Sequence, residues 1–177
     1  MKLHLSLLVL FFSLVLSSSR CKKQNTEPQL PPETTTGAMT FGCKVNGKVF
    51  VPRGGEGYPG IITEYPFLGN GSGGGWFLNI AAVDRSSDFL PRVSITTDSL
   101  FLEEGNTYQL KKEKGYAKGQ YGYNLFLYQI TTGDIGELVI TKHNQTQRIL
   151  SGRFSFTATN NNGEKVNITE GRFDVRY

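Results

Sequence analysis

The chain has 177 residues, with 19 basic against 15 acidic side chains and 12% aromatics. Two of the basic residues, Lys2 and Arg20, lie in the first twenty positions; without them the balance is 17 against 15, a net charge near +2. That argues against the clustered basic face of a nucleic-acid binder, and two cysteines make neither a disulfide scaffold nor a zinc site.

In chain order, Lys2 precedes an apolar run from Leu5 to Leu16, followed by Ser17, Ser18, Ser19, Arg20 and Cys21. A charged start, an apolar stretch and small residues at its end form an export signal. The run is shorter than the roughly 20 residues of a permanent spanning helix. Residues 1–20 are therefore expected to be a removed signal peptide. The stretch from Leu16 to Lys23 resembles the lipobox of bacterial envelope lipoproteins, with Arg20 where that box carries a small residue. The resemblance implies a diacylglycerol on the Cys21 sulfur; the alternative is plain secretion with a cut after Ser19. Cys43 is then a buried free thiol or, if Cys21 stays unmodified, its disulfide partner.

Residues 22–37 hold three of the seven prolines and no aromatic residue. Such a segment buries too little apolar area to fold. Residues 21–38 read as a lipidated cysteine and flexible tether, with a reach of roughly 50 Å. Residues 39–177 are then one all-β domain.

The first expected strand runs from Met39 to Val45, with Met39, Phe41, Cys43 and Val45 on one face. Asn46-Gly47 is a two-residue hairpin turn, because both positions tolerate positive φ, and the return strand sets Phe50 opposite Cys43. Nine of the 21 glycines fall between Gly54 and Gly75, around a short apolar run at Ile61 and Ile62. Residues 76–83, apolar on both faces, predict a central strand. Residues 92–97 predict a strand with Val93 and Ile95 inward. Residues 98–104 suit either a helical turn or a strand. Residues 107–110 predict a short strand, and 121–130 one long strand. Leu138 and Ile140 share a face. Leu150, Phe154, Phe156 and Ala158 point inward on a strand that turns at residues 160–163. Val166 and Ile168 are even-numbered, whereas Phe173, Val175 and Tyr177 are odd, so a bulge is expected at Glu170-Gly171. About ten short strands imply a single antiparallel β-sandwich or a partly closed barrel.

Four segments carry a resemblance: Val45-Asn46-Gly47, residues 136–141 (GELVIT), residues 149–158 (ILSGRFSFTA) and residues 163–173 (GEKVNITEGRF). Together they resemble a group of small Bacteroidota envelope lipoproteins that close on I-S-G-x-F-S-F-x-A and I-T-x-G-x-F. Leu150 between Ile149 and Ser151 departs slightly from that pattern. The resemblance implies an all-β envelope lipoprotein and carries no activity with it.

Candidate chemistry is sparse. Five of the eight tyrosines lie between Tyr108 and Tyr128, beside Lys111, Lys112, Lys114 and Lys118. Flat aromatic faces beside polar groups stack on rings. Tyr108, Tyr116, Tyr121, Tyr123, Lys112 and Lys114 are accordingly candidate ligand-binding residues; the plainer reading is tyrosines covering a core edge that lysines guard. His143 stands alone after the signal and reads as a loop residue, since a general base needs a positioned partner. The glycine-rich run from Gly69 to Gly75 lacks the Lys-Ser/Thr ending of a phosphate loop and leads into a strand. The sequence predicts a cell-envelope lipoprotein, moored to the outer membrane by its lipid. Its expected role is a non-enzymatic binding or interaction module for a glycan or small apolar ligand, with no cofactor, metal or nucleic acid. Alternatives are a carbohydrate-active hydrolase using paired carboxylates near Asp84, Asp88 or Glu103, or a structural part of an envelope assembly.

Overall fold

Eleven strands and no helix build residues 28–177, the part of the chain that the computed structural model describes. The expected signal peptide, Cys21 and the first part of the tether lie outside the described residues. The strands are β1 (Thr40–Val45), β2 (Lys48–Phe50), β3 (Ile61–Glu64), β4 (Asn79–Val83), β5 (Arg92–Thr97), β6 (Thr107–Gln109), β7 (Ala117–Tyr123), β8 (Phe126–Gln129), β9 (Gly136–Asn144), β10 (Ile149–Thr159) and β11 (Lys165–Arg176). Strand partners are antiparallel throughout. One wing has the order β2-β1-β11-β10-β9-β6 and the other β8-β7-β5-β4-β3, joined where Thr159 pairs with Gln129.

The wings share one core: Phe41, Ile140, Leu150 and Phe173 come from the first, Ile80, Val93 and Ile95 from the second. This is the expected antiparallel sandwich, open along one side. Asn46 and Gly47 take φ of 48° and 81°, and Cys43 faces Phe50 across the hairpin. The Cys43 thiol is free and fully buried, and burial pushes its pKa up to about 12. Strand β11 carries the expected bulge. Between the pairs Phe154–Gly171 and Phe156–Ile168, the single residue Ser155 of β10 faces two of β11, Thr169 and Glu170, and β1 shows the same mismatch. Glu170 absorbs the extra residue at φ 51°, which switches the inward face from Ile168 to Gly171 and Phe173.

Several expectations are corrected. Residues 121–130 are not one strand: Asn124, at φ 53°, and Leu125 turn the chain between β7 and β8, pairing Tyr123 with Phe126. A turn without glycine left no punctuation in that run. Strand β4 begins only at Asn79, and Trp76 bridges to Phe67 instead. Met39 is 42% exposed, because its own φ of 56° turns it off the β1 face. Residues 98–104 form neither helix nor strand.

Residues 28–38, the second half of the expected tether, lie along the outer face of β1 and β11. Pro31 and Leu30 cover Gly42 so closely that a Cβ there would meet the proline ring at 2.5 Å. Pro28 lies beside Lys44 and Val49, whereas residues 34–38 reach Asp174. The segment thus runs opposite to β1. The sandwich therefore has two ends. At the turn end are Asn46-Gly47, residues 160–163, the β7–β8 turn and the β4–β5 loop. The aromatic end gathers the start of β10, the last residues of β11, and the chain just after β3 and just before β4.

Candidate functional site

The aromatic end holds a cleft of about 700 Å³. Tyr65 follows β3 directly and is fixed from both sides: its hydroxyl accepts from the Leu102 amide at 2.7 Å and donates to the Leu100 carbonyl at 3.1 Å. Trp76 packs at 5.1 Å from the Tyr65 ring, and Tyr177 meets it edge-on at 5.3 Å. Phe67 lies 5.4 Å from Trp76 on the other side and is 47% exposed. These four rings line the cleft together with Glu64, Gln145 and Arg148.

The polar side is held by backbone geometry. Asn144 accepts from the Gln147 amide at 3.0 Å, which tightens the β9–β10 turn. Arg148 takes a left-handed φ of 53°, and its carbonyl accepts the Tyr177 amide at 3.0 Å. A non-glycine residue in that region costs roughly 1 kcal/mol or more, and such strain clusters at working sites. Burial raises the Tyr177 hydroxyl pKa, and the positive charge of Arg148 opposes that rise. The Thr63 hydroxyl on the cleft wall is buried without a hydrogen-bond partner. Flat rings beside a guanidinium, a carboxylate and an amide suit a polar ligand with a ring face, since ring stacking and directional hydrogen bonds act together.

Behind this cleft sits His143, in β9 rather than in the expected loop. Its Nδ1 lies 2.5 Å from the Leu102 carbonyl, which only accepts, so Nδ1 carries the proton. Nε2 then accepts from the Tyr177 hydroxyl at 3.0 Å. Both nitrogens are engaged, one holding Tyr177 and the other the irregular segment at Leu102. The Glu104 carboxylate accepts from the His143 amide and pairs with Lys142 at 3.2 Å; these contacts, the amide first, hold its pKa below the usual value.

The candidates read from sequence fall in three places. Tyr108 accepts from the Glu103 amide at 2.7 Å and is tied into the wall behind His143. Tyr116 lies under the Lys111 ammonium at 4.5 Å and lines, with Lys112, a smaller concavity of about 370 Å³. Tyr121 stacks on Tyr123 at 6.5 Å and meets Tyr128 at 5.7 Å, with burial first in raising its pKa to about 12. Lys114 is exposed in the β6–β7 loop. Asp84 is capped by the Ser86 amide and hydroxyl in the β4–β5 loop, on which Asp88 also lies; Glu103 bonds Asn106 at the other end of the molecule. These three acids do not share a cleft.

Sequence reasoning missed Tyr65, Phe67, Trp76, Arg148 and Tyr177. The available signal was the placement of aromatics on both flanks of the glycine-rich run, Tyr65-Pro-Phe67 before it and Trp76 after it. A loop bracketed by aromatics brings them together when its ends meet, as the Leu68 amide and Gly75 carbonyl do at 2.8 Å.

The sequence profile of a family described as "Domain of unknown function (DUF6252)" matches residues 77–175, from just before β4 nearly to the end of β11. Neither the curated proteins nor the solved structures contain a match to the chain.

Proposed function

This chain belongs to the DUF6252 family of domains of unknown function, and from that premise we propose a lipid-anchored glycan-binding protein of a Bacteroidota-type cell envelope. One observation carries the binding reading: four aromatic rings, Tyr65, Phe67, Trp76 and Tyr177, line a single cleft with Arg148 and Glu64 at its rim. Sugar rings present apolar CH faces to aromatic planes and hydroxyls to charged edges, so both halves of the cleft have work to do. The anchoring reading rests on the export signal and on Cys21, with lipidation implied by the lipobox resemblance. Mass spectrometry of the mature protein recovered from membranes tests that half, by the presence of acyl chains on Cys21.

Trp76 is the chain's single tryptophan, so its fluorescence reports on the cleft alone. Glycans selected on an array should quench or shift that emission saturably. Replacing Phe67 with alanine should weaken the same glycans at least tenfold, a loss of about 1.4 kcal/mol, as should Arg148→Ala. Tyr116→Ala, in the separate concavity, should leave affinity unchanged. Emission indifferent to every array-positive glycan, or an affinity that follows Tyr116 instead, would remove the cleft from the proposal.

A further inference from the structure

An exposed apolar surface lies at the turn end, opposite the aromatic cleft. Leu125 is 91% exposed and Phe126 47% on the β7–β8 turn; Phe89 and Leu90 are 50% and 51% exposed on the β4–β5 loop. These two loops form one surface. The Asn124 amide donates to the Phe89 carbonyl at 2.8 Å, and the Phe89 and Tyr123 rings stack at 5.3 Å. Asn124 and Leu90 both hold left-handed φ, which fixes the loop shapes. Arg85 in the β4–β5 loop and Arg92 at the start of β5 balance Asp84 and Asp88. Its attraction to a partner is therefore apolar rather than electrostatic.

The described chain also begins at this end. Pro28 lies beside Lys44 and Val49, near the Asn46-Gly47 turn. Only seven residue steps separate Pro28 from Cys21, a span of at most about 25 Å. Strand β11 alone, at 12 residues, extends about 40 Å. An anchor at Cys21 therefore holds the turn end nearer to the bilayer than the aromatic cleft.

We infer that Phe89, Leu90, Leu125 and Phe126 form a membrane-seating tip, which enters the interface of the bilayer holding the Cys21 lipid and aims the Trp76 cleft outward. This rests on the anchored reading above, and it replaces a free tether with a domain of defined orientation. Aromatic and leucine side chains on narrow loops suit the headgroup boundary, where apolar burial drives binding without net charge.

The test uses the mature chain from residue 21 carrying Cys21→Ser, which retains every strand and the whole core, with vesicles of pure phosphatidylcholine. The unacylated chain should float with the vesicles, and a Leu125→Glu/Phe126→Glu double variant should partition at least tenfold less while melting at the same temperature. In a Trp76→Phe background, Leu125→Trp should shift its emission to the blue with vesicles and be quenched by brominated lipid. A parent chain that stays soluble, or a double variant that floats equally well, overturns the inference. So does vesicle indifference combined with a dimer that the double variant dissociates, which marks the tip as a contact between copies. Acylation of Cys21 is read separately by mass, so an acylated protein with an inert tip sinks this inference alone.

Discussion

Replacement of Asp174 with alanine is expected to lower stability by about 3 kcal/mol and the melting temperature by roughly 10 °C. The Asp174 side chain is buried on the outer face of β11, where residues 34–38 cover it. Its carboxylate accepts from the Thr34 hydroxyl (2.7 Å), the amides of Thr36 (2.9 Å), Gly37 (2.8 Å) and Ala38 (3.1 Å), and the Ser151 hydroxyl (2.7 Å). Charged hydrogen bonds are about twice as strong as neutral ones, and the variant leaves several donors facing a void. Hydrogen exchange at Gly37 and Ala38 distinguishes this account from a general loosening. Those amides should lose protection in the variant while core amides of β10 keep theirs; protection retained at Gly37 would refute the clasp.

The same carboxylate sets an acid limit. Burial alone raises its pKa, but the hydrogen bonds from Thr34, Ser151 and the 36–38 backbone outweigh it and hold the group at about 2. A carboxylate depressed in the folded state stabilises the fold above its unfolded value near 3.9 and loses that contribution as pH falls through 2. Asp134, also near 2 through Thr131, Lys165 and Thr159, acts in the same window. Stability should therefore fall between pH 4 and 2, with the Asp174→Ala protein losing about 2 kcal/mol less across that interval than its parent.

Gly152→Ala is expected to cost about 3 kcal/mol, a large effect for one methyl group. The tripeptide Gly-Arg-Phe occurs twice, at residues 152–154 and 171–173, and the antiparallel register sets each glycine opposite the other's phenylalanine. Each ring lies over the bare glycine across from it, the arrangement by which an aromatic side chain covers a glycine in a sheet. A Cβ on Gly171 would meet the Phe154 ring at 2.5 Å; one on Gly152 would meet the Phe173 ring at 2.8 Å and press on the Val139 carbonyl oxygen. Rings can be trimmed, whereas a ladder carbonyl cannot move. Phe154→Leu should therefore restore part of the stability lost in Gly171→Ala, with a coupling above about 0.5 kcal/mol. Phe173→Leu should not rescue Gly152→Ala. Urea denaturation of the two double-mutant cycles reads both, and equal rescue at the two sites would contradict the asymmetry.

The paired motifs also set Arg153 opposite Arg172. The docked N-terminal segment relieves that pair, with Glu33 at 3.8 Å from Arg153 and the Pro31 carbonyl accepting from Arg172 at 3.5 Å. Residues 28–38 are thus part of the sheet's outer surface, although their composition reads as a linker. Composition registers how little apolar area a segment owns. It is blind to the Thr34 hydroxyl and three backbone amides converging on one carboxylate more than 130 residues away.

That difference of range separates what could be read from what could not. Alternation along β5, β10 and the two halves of β11 is a period-two signal within a few residues, and it located the inward faces, the Asn46-Gly47 turn and the bulge at Glu170. Local chemistry enforces each of these, so neighbouring residues suffice to reveal it. The β7–β8 turn escaped because Asn124 reaches positive φ without a glycine to announce it. The cleft had a local signature only in part, the aromatics Tyr65, Phe67 and Trp76 that flank the glycine-rich run; Arg148 and Tyr177 come from distant stretches, and only the folding of one wing over the other brings them to the same wall. Strand pattern follows from backbone geometry, which repeats residue by residue. A binding surface follows from packing between distant strands, which no repeat encodes.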